Sequence, residues 1–567
     1  MIKFKSIQIK GFRGFINSGD IDFKIPDGEN NGSGLNIFVG ENGSGKTATL
    51  RAISFLILNS FSGQRKVSSH DFNNQNEDGL IEIIGKIDGT VKYAMPPPYK
   101  KQLDIKEFKT SVKHRDRKSP GKFLSPKFTI SNILEPDSRI QSWFPRGNIP
   151  DFYLGIDNER FVEDEGLHIF YFDEERNKQI EKGFATTFSQ LMDDLNWKFL
   201  KDVDETEILA KWQDYYSEVI KDEYGEEIKK ILEDRFDRKD LAEIKLELLN
   251  LEEPYSNAFF AIKNKDKLSQ IPVSFLGSGV EFLFSFLFLS QIANQSKGTI
   301  IYCIDEPELS LHPQWQKMLF EILKEEAKTK QIFIATHSPY FIDSSILGNV
   351  KRFYVKDDKI NFSQLKEEQI QDKKIQKLFS LENREILFSR GVILVEGIDD
   401  RVRLRGFLQT DNNDLFVMDG LQNLKRIKNM CDQLEIKFKI IVDLDYLRNF
   451  SELLPDLSTE EVEYIDEIAT LNEIIANLGS DSEKLLKEVN KIKKQIIEEK
   501  LKCLSSKILY KMSNDALYKE SVEKKILDLQ QDRIFVLSKG IIEDYLNEYG
   551  EPKAEELGKE LLAILSK

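Results

Sequence analysis

The pattern of apolar and polar positions in the first sixty residues predicts two strands, a glycine-rich loop and a helix. Residues 4–12, FKSIQIKGF, alternate in the way that is typical of a strand with one buried face. Residues 34–40, GLNIFVG, form a buried-strand run, and residues 46–58, KTATLRAISFLIL, have helical spacing. This order is typical of the opening of a phosphate-loop domain.

Two insertions are expected next. Over residues 61–170 the pattern gives short strands interrupted by Pro and Gly, which indicates a β-rich or irregular segment. Charged residues then take helical spacing over residues 174–253, most clearly at residues 226–253, EEIKKILEDRFDRKDLAEIKLELLNLEE. We expect this second segment to form an amphipathic helical arm or lid.

Strand-like runs return at residues 298–305, GTIIYCID, and at residues 330–337, KQIFIATH. A helical pattern separates them at residues 313–329, PQWQKMLFEILKEEAKT. Alternation of this kind predicts βαβ units and a parallel sheet. The first domain is therefore expected to span residues 1–375.

A second alternating set predicts a smaller α/β domain over residues 385–550. Its strand-like runs are GVILVEG at residues 391–397, DLFVMDG at residues 414–420 and FKIIVDLD at residues 438–445. The further expected elements are a polar helical insertion at residues 457–530, a last strand at residues 532–538 and a C-terminal helix at residues 551–567. The fold class expected for the whole chain is α/β.

Composition limits the classes of protein to be considered. A length of 567 residues favours two or three domains. The net charge of -15 argues against a protein that coats nucleic acid with its whole surface, although the basic segment at residues 99–127 is either a solvated loop or a local nucleic-acid contact. Neither a signal peptide nor a transmembrane span is evident, so we expect a cytoplasmic protein without membrane contact. The three cysteines match neither a disulfide framework nor a zinc site.

A nucleotide site is predicted by GENGSGKT, residues 40–47, which follows a buried strand and precedes a helix. Its backbone N–H groups are expected to surround phosphate oxygens, while Lys46 bridges the β- and γ-phosphates and Thr47 holds Mg²⁺. Asp305 and Glu306 follow another apolar run, where they are placed to hold the metal and to polarise water. The loop is expected to bind ATP or GTP, and its candidate ATP-binding residues are Gly40, Asn42, Gly43, Gly45, Lys46 and Thr47.

A second acidic site is predicted at the ends of two later strands. Glu396 follows one apolar run with Asp400 one helical turn later, and Asp443 and Asp445 follow another. Carboxyl ends of neighbouring parallel strands meet at one edge of a sheet, and clustered carboxylates favour Mg²⁺ or Mn²⁺ over zinc. For each acid alone, a polar residue that ends a buried strand remains the alternative.

Residues 1–375 resemble the ABC-type ATPase heads of SMC, RecF and OLD proteins. The resemblance rests on GENGSGKT, CIDEPELSLHP, FIATHSP and FLGSGVEFL. It implies that His337 senses the γ-phosphate, that Arg13 lies near the nucleotide, and that Ser278 and Gly279 reach the nucleotide of a partner head. Gly277 departs from the family's usual serine. The implied mechanism is ATP-driven closure of two heads, and hence a dimer or higher oligomer.

Residues 385–550 resemble a TOPRIM domain. The resemblance implies that Glu396, Asp443 and Asp445 are catalytic metal ligands and that Asp400 is an additional acid of the nuclease branch. The closing segment, VLSKGIIEDYL, is similar to the end of OLD-type nucleases. The implied roles there are a second-metal ligand for Glu543 and stabilisation of transition-state charge by Lys539, whereas a helix cap at Ser538 followed by a surface acid is the alternative.

Both halves together resemble the OLD family of ATP-dependent nucleases, an arrangement used in bacterial anti-phage systems such as Gabija, PARIS and some retron effectors. The resemblance implies an ATP-regulated, Mg²⁺- or Mn²⁺-dependent endonuclease that cuts DNA, with tRNA or other RNA as the alternative substrate. It also implies a second defence protein, or a reverse transcriptase with a noncoding RNA, as a partner. A nucleotide-sensing scaffold with a non-cleaving TOPRIM-like domain is a second interpretation. An SMC-like tethering ATPase is disfavoured because residues 174–253 lack sustained heptads.

Overall fold

The chain forms two compact units, residues 1–364 and residues 365–567. The predicted end of the first domain, near residue 375, lies in a helix of the second unit. The computed structural model describes residues 3–55, 71–73, 80–94, 102–113, 127–129, 167–172, 224–247, 259–265, 271–272, 278–295, 299–379, 383–405, 414–453 and 504–538.

Fourteen strands and four helices are described in the first unit. The strands are β1 (Phe4–Phe12), β2 (Phe15–Asp22), β3 (Leu35–Gly40), β4 (Leu80–Ala94), β5 (Gln102–Lys113), β6 (Lys127–Thr129), β7 (Leu167–Phe172), β8 (Leu241–Glu247), β9 (Phe259–Asn264), β10 (Ile271–Pro272), β11 (Thr299–Asp305), β12 (Gln331–Ala335), β13 (Val350–Lys356) and β14 (Lys359–Ser363). The helices are α1 (Lys46–Phe55), α2 (Tyr224–Phe236), α3 (Ser278–Gln295) and α4 (Pro313–Glu326).

A six-stranded sheet with the order β14-β13-β3-β12-β11-β7 forms the centre of this unit. All neighbouring strands in it are parallel except β13 and β14. The fully buried runs of β3, β11 and β12 explain its position, because a parallel sheet covered on both faces needs continuous apolar strands. The carboxyl ends of these three strands lead to the phosphate loop, the acids at residues 305 and 306, and His337.

Antiparallel strands complete the first unit. One sheet has the order β2-β1-β4-β5-β6 and another has the order β10-β9-β8. The core between β1, α1 and the central sheet is rich in phenylalanine, and Phe38 contacts Phe353 edge to face with ring centroids 5.3 Å apart. This core supports the strand that delivers the phosphate loop.

The helix expected at residues 226–253 is wrong in its second half. Helix α2 ends at Phe236, where Asp237 adopts a left-handed conformation with φ of 54° and the Arg238 N–H donates to the Leu232 carbonyl. Strand β8 then begins at Leu241, since residues 241–247, LAEIKLE, alternate with the period of a strand from Glu243 onward. The charged composition that favoured a continuous helix concealed this change of period.

The second unit contains a four-stranded, fully parallel sheet with the order β16-β15-β17-β18. Its strands are β15 (Gly391–Val395), β16 (Asp414–Val417), β17 (Lys437–Val442) and β18 (Ile534–Val536). The α-helices described in this unit are α5 (Glu367–Ile370), α6 (Lys373–Leu378), α7 (Ile398–Arg405), α8 (Leu424–Gln433), α9 (Leu504–Asn514) and α10 (Ala516–Gln531).

The sheet of the second unit has its own apolar core, which includes Ile393, Val395, Ile441 and Phe535. The structure thus confirms the expected α/β class for both units. Residues 454–503, which contain most of the predicted helical insertion, and the predicted C-terminal helix at residues 551–567 lie outside the described residues. Across the part of the chain that is described, no helix is both long and apolar enough to cross a membrane.

Candidate nucleotide and acidic sites

The phosphate loop joins β3 to α1 in a conformation that depends on glycine. Gly40, Gly43 and Gly45 have φ angles of 131°, 75° and 106°, in the region that glycine adopts most easily. A Cβ atom on Gly40 would lie 2.1 Å from the carbonyl oxygen of Phe353 on the neighbouring strand. The backbone conformation of the loop therefore requires glycine at these three positions of the sequence motif.

Lys46, the first residue of α1, is folded back over this loop. Its Nζ donates to the carbonyl oxygens of Gly40 and Glu41 at 2.8 Å each, and the residue is only 5% exposed. Burial lowers the pKa of Lys46 to about 8, against the opposing attraction of Asp305 and the other nearby carboxylates. A phosphate group at this position would replace the carbonyl acceptors and stabilise the charged form of the amine.

Ser44 provides a direct observation in favour of a phosphate ligand. Its Oγ is buried and has no hydrogen-bond partner among the described residues. A buried hydroxyl without a partner costs free energy unless a ligand or water satisfies it. Because Ser44 lies within the phosphate loop, a phosphate oxygen of a bound nucleotide would be a suitable acceptor for this hydroxyl.

Thr47 and Asp305 meet across the start of α1 and the end of β11. The Thr47 hydroxyl donates to Asp305 Oδ1 at 3.1 Å, and Asp305 is 2% exposed. A hydroxyl and a carboxylate are oxygen ligands of the type that Mg²⁺ accepts beside nucleotide phosphates. These two predicted metal ligands are therefore brought together.

Glu308, which the sequence interpretation did not single out, links the two loops that carry the predicted catalytic residues. Its Oε1 accepts from the His337 backbone N–H at 2.6 Å, and its Oε2 accepts from the Thr336 hydroxyl at 2.8 Å. Burial raises the pKa of Glu308, while these hydrogen bonds act against that shift. Glu306, two residues earlier, adopts φ of 48° and donates its N–H to the Ala335 carbonyl at 2.8 Å. The loops after β11 and β12 are thus fixed to each other.

The same network extends to helix α4. Ser338 Oγ donates to Gln316 Oε1 at 2.7 Å, and Gln316 Nε2 donates to the Leu311 carbonyl at 2.8 Å. The His312 side chain caps this helix by accepting from the Gln314 N–H.

The His337 side chain lies beside the phosphate loop in a partly buried position. Burial, and then the positive charge of Lys46, lower the pKa of His337 to about 4. The imidazole is consequently neutral at pH 7 and can donate from one nitrogen while it accepts at the other. This state suits the phosphate-sensing role predicted for it.

Gly279 is constrained by packing at the start of α3. A Cβ atom there would lie 2.3 Å from the carbonyl oxygen of Ser310, which itself adopts φ of 62°. Ser278 is the first residue of the same helix. Within one chain, this glycine therefore allows α3 to approach the loop that follows β11.

Arg13 forms an ion pair with Asp71. Its Nε donates to Asp71 Oδ1 at 2.9 Å, and its backbone N–H donates to the Asp71 carbonyl at 2.7 Å. Asp71 is 1% exposed, and Arg13 has φ of 49°. The turn between β1 and β2 is held by this pair.

In the second unit, neighbouring strands bring the predicted acids to one edge. Glu396 directly follows β15, and Asp443 directly follows β17, its parallel neighbour. Ser538 lies two residues beyond β18 on the far side of β17. Asp445 lies in the first turn of a 3-10 helix, Leu444–Asn449, that Asp443 directly precedes, and Glu396, Asp443 and Asp445 are all partly buried. We call this the acidic edge: Glu396, Asp443 and Asp445.

Asp400 has a defined backbone contact. Its Oδ2 accepts from the Gly397 N–H at 2.9 Å, so the carboxylate closes the first turn of α7 as a capping box does. Among the described residues, no three His, Cys, Asp or Glu side chains are grouped closely enough to hold a metal ion. Lys539 and Glu543 lie outside the described residues. The backbone thus aligns the acidic edge, whereas a three-ligand group is not formed by the described side chains.

Two families match separate parts of the chain. Residues 35–343 match the family described as AAA domain, putative AbiEii toxin, Type IV TA system. Residues 387–445 match the family described as Overcoming lysogenization defect protein-like, TOPRIM domain. The two matches contain the phosphate loop and the acidic edge, respectively.

Similar proteins cover most of the length of the chain. An OLD nuclease of Thermus scotoductus is 26% identical over 491 residues, which is 78% of this chain and 82% of the relative. An Endonuclease GajA of Bacillus cereus is 22% identical over 621 residues, which is 92% of this chain and 87% of the relative. Among solved structures, an Smc head bound to the C-winged helix domain of ScpA covers 65% of this chain and 98% of its own, with 15% identity and a TM-score of 0.39.

Proposed function

We propose that this chain, which belongs to the family described as AAA domain, putative AbiEii toxin, Type IV TA system, is an ATP-regulated, divalent-metal-dependent endonuclease. The observation that carries the proposal is the position of Glu396 and Asp443 at the ends of adjacent parallel strands. A chain that only bound nucleotide would have no need of such acids. The OLD-like TOPRIM match and the two relatives that are named nucleases support this interpretation.

In the first unit, the proposed reaction is ATP hydrolysis. Lys46 and the loop backbone bind the phosphates, and Thr47 with Asp305 holds Mg²⁺. Glu306 orients the attacking water, and neutral His337 contacts the γ-phosphate. Arg13, Ser278 and Gly279 keep the nucleotide-related roles that the resemblance assigned to them, with Ser278 and Gly279 acting on a partner head. We therefore propose that the active form is a dimer or a higher oligomer.

In the second unit, the proposed reaction is cleavage of a phosphodiester bond. Glu396, Asp443 and Asp445 would hold Mg²⁺ or Mn²⁺, with Asp400 and Glu543 completing the ligand set. A bound divalent ion supplies an activated water and stabilises the charge that develops on the leaving oxygen. The residues of this chain position that ion and keep the first turn of α7 in place, and Lys539 adds positive charge near the transition state.

The proposed substrate is DNA, with tRNA or other RNA as the alternative, and the proposed setting is bacterial defence against phage. A second defence protein, or a reverse transcriptase with its noncoding RNA, is the proposed partner. ATP is the regulating ligand. These proposals rest on the resemblance of the whole chain to OLD-type nucleases and on the two named relatives.

A scaffold that senses nucleotide without cutting is the second candidate. It is favoured by one observation: the described side chains do not form a group of three metal ligands. In that case ATP would control assembly or the release of a partner, and the acidic edge would have no role in hydrolysis of nucleic acid.

The two functions are separated by incubating the purified protein with plasmid DNA and with total tRNA. Each reaction contains Mg²⁺ or Mn²⁺, with and without ATP, beside the variants Glu396→Ala and Lys46→Ala. Metal-dependent cleavage that is lost in Glu396→Ala supports the nuclease. Intact ATP hydrolysis without cleavage of either substrate would favour the scaffold.

A further inference from the structure

A group of cations lies on two adjacent helices of the second unit. Helix α6 begins with two lysines and carries a third, and the first turn of α8 carries a lysine and an arginine. We call this group the basic shoulder: Lys373, Lys374, Lys377, Lys425 and Arg426. Arg426 Nε is 3.1 Å from Asp372 Oδ2, so an ion pair joins the two helices.

The basic shoulder is placed next to the acidic edge by backbone contacts. The Gly420 N–H donates to the Glu396 carbonyl at 3.0 Å, and helix α8 starts four residues later at Leu424. Asp372 caps α6 by accepting from the Lys374 N–H at 2.8 Å. Because Asp372 also binds Arg426, the first turns of both helices lie near the end of strand β15.

The positive charges of the shoulder exceed the carboxylates that contact them. Asp372 is shared between the two helices, whereas Lys373, Lys377 and Lys425 are exposed and make no ion pair with a described residue. Burial lowers the pKa of Lys374, and the charges of Arg426 and Lys377 lower it further, while Asp372 acts in the opposite direction. The cations therefore lie close enough to repel one another.

Other carboxylates lie on the side of the sheet edge. They are the three acids of the acidic edge and the exposed Asp419, which precedes Gly420. Two further exposed acids, Glu367 and Glu368, lie on helix α5, before the shoulder in the chain. The shoulder is thus a local group of positive charge in a chain whose net charge is -15. Clustered lysine and arginine attract phosphate groups, and their binding free energy comes largely from counterion release.

We propose that the basic shoulder binds the phosphodiester backbone of a nucleic acid beside the acidic edge. This inference rests on the proposed nuclease function, and it assigns the backbone-binding surface of that activity. The lysines act as point charges that contact phosphate oxygens without reading base sequence. The cations hold the strand beside the acidic edge, whose carboxylates would hold the divalent ion of the proposed nuclease.

The test compares two charge-matched double variants of the full chain. Lys373→Gln/Lys425→Gln removes two exposed charges of the shoulder. Lys437→Gln/Lys524→Gln is the control, because Lys437 begins β17 at the opposite edge of the sheet and Lys524 is exposed on α10. None of the four lysines is a predicted nucleotide-binding or metal-binding residue. Thermal melting checks that both variants fold.

Binding is measured by fluorescence anisotropy in buffer with EDTA, so that no metal-dependent cleavage occurs. Duplex DNA and single-stranded RNA of equal length are titrated separately over a series of salt concentrations. We expect the shoulder variant to bind about tenfold more weakly at low salt. The slope of log affinity against log salt should be shallower by about 1.8 on duplex DNA and by about 1.4 on single-stranded RNA, since each lost phosphate contact removes about 0.9 and about 0.7, respectively. The control is expected to match the wild type.

The outcomes distinguish this inference from the proposed function. Equal affinities and equal salt slopes for the two double variants would contradict binding of nucleic acid by the basic shoulder, even if the wild type cuts nucleic acid. If only the shoulder variant loses binding and the wild type cuts no nucleic acid, the result would support binding by the basic shoulder and contradict the proposed nuclease activity. If the wild type binds neither DNA nor RNA, both the basic shoulder as a binding surface and the proposed nuclease function are contradicted. If the shoulder variant loses affinity for only one of the two nucleic acids, that one is the ligand of the shoulder.

Discussion

Glu308 and His337 are joined by a 2.6 Å hydrogen bond, in which the His337 backbone N–H donates to Glu308 Oε1. The second oxygen of the same carboxylate accepts from the Thr336 hydroxyl. The loop with the predicted water-polarising acid is thereby fixed to the loop with the predicted phosphate sensor. ATP turnover should depend on this pair even though Glu308 has no predicted contact with nucleotide.

Glu308→Gln is expected to lower the kcat for ATP hydrolysis by about fivefold to a hundredfold with little change in nucleotide affinity. Glutamine presents an NH₂ group to one of two buried donors, and an unsatisfied donor costs about 1–3 kcal/mol. Steady-state kinetics and equilibrium binding of a non-hydrolysable ATP analogue separate the two effects. Thr336→Ser, which keeps the hydroxyl, is the control, and a normal kcat in Glu308→Gln would contradict the positioning role.

Nucleotide affinity is expected to fall as pH rises above about 8. The pKa of Lys46 is lowered to about 8 by burial, and phosphate binding favours the charged amine. Above that pH, binding must take up a proton, so affinity should fall by up to about tenfold per pH unit. Titrations of an ATP analogue between about pH 7 and pH 9.5 measure this slope. Lys46→Arg should show no such slope because a guanidinium stays charged, and a flat wild-type profile would refute the explanation.

Gly279→Ala and Ser278→Ala are expected to affect different properties. The added Cβ at Gly279 would meet a backbone carbonyl at 2.3 Å, so α3 must shift and stability should fall by about 1–3 kcal/mol. Ser278→Ala should leave thermal stability near the wild-type value and lower ATP turnover if the serine acts on a partner head. Thermal melting and the dependence of turnover on protein concentration test this division. An unchanged melting temperature in Gly279→Ala would contradict the packing argument.

Asp400→Asn distinguishes a capping role from a metal-binding role. Asparagine keeps an oxygen that can accept from the Gly397 N–H, so the first turn of α7 should remain in place. If Asp400 also binds metal or orients the metal ligands, the Mg²⁺ concentration for half-maximal cleavage should rise by about 10- to 100-fold. A metal titration of the cleavage rate gives the answer. An unchanged midpoint would limit Asp400 to capping.

The strands that carry both sites could be predicted because their signal is local. The runs that became β3, β11, β12, β15 and β17 are largely apolar. The first ends at the glycine-rich loop, β12 leads to His337, and each of the other three ends at an acid or directly before one. Parallel pairing then fixes which strand ends lie together. The position of Asp305 beside Thr47, 258 residues away, follows from that topology.

The features that could not be predicted depend on distant partners or on single backbone angles. The sequence gives no sign of a role for Glu308, because its two hydrogen-bond donors lie in the distant loop after β12. Strand β7 pairs with β11 in the central sheet, although residues 167–170 fell within the expected insertion. The left-handed conformation of Asp237 ends α2, and helical propensity alone gives no indication of it.

The most direct test of the central claim measures phosphate release from ATP and nicking of plasmid DNA in the same Mg²⁺ reaction. Wild type, Glu396→Gln and Lys46→Ala are compared at equal concentration. We expect Glu396→Gln to keep phosphate release and to lose nicking. Lys46→Ala should lose phosphate release, and any nicking that it retains should no longer respond to ATP. Nicking by Glu396→Gln at the wild-type rate would contradict the assignment of the acidic edge as the nuclease centre.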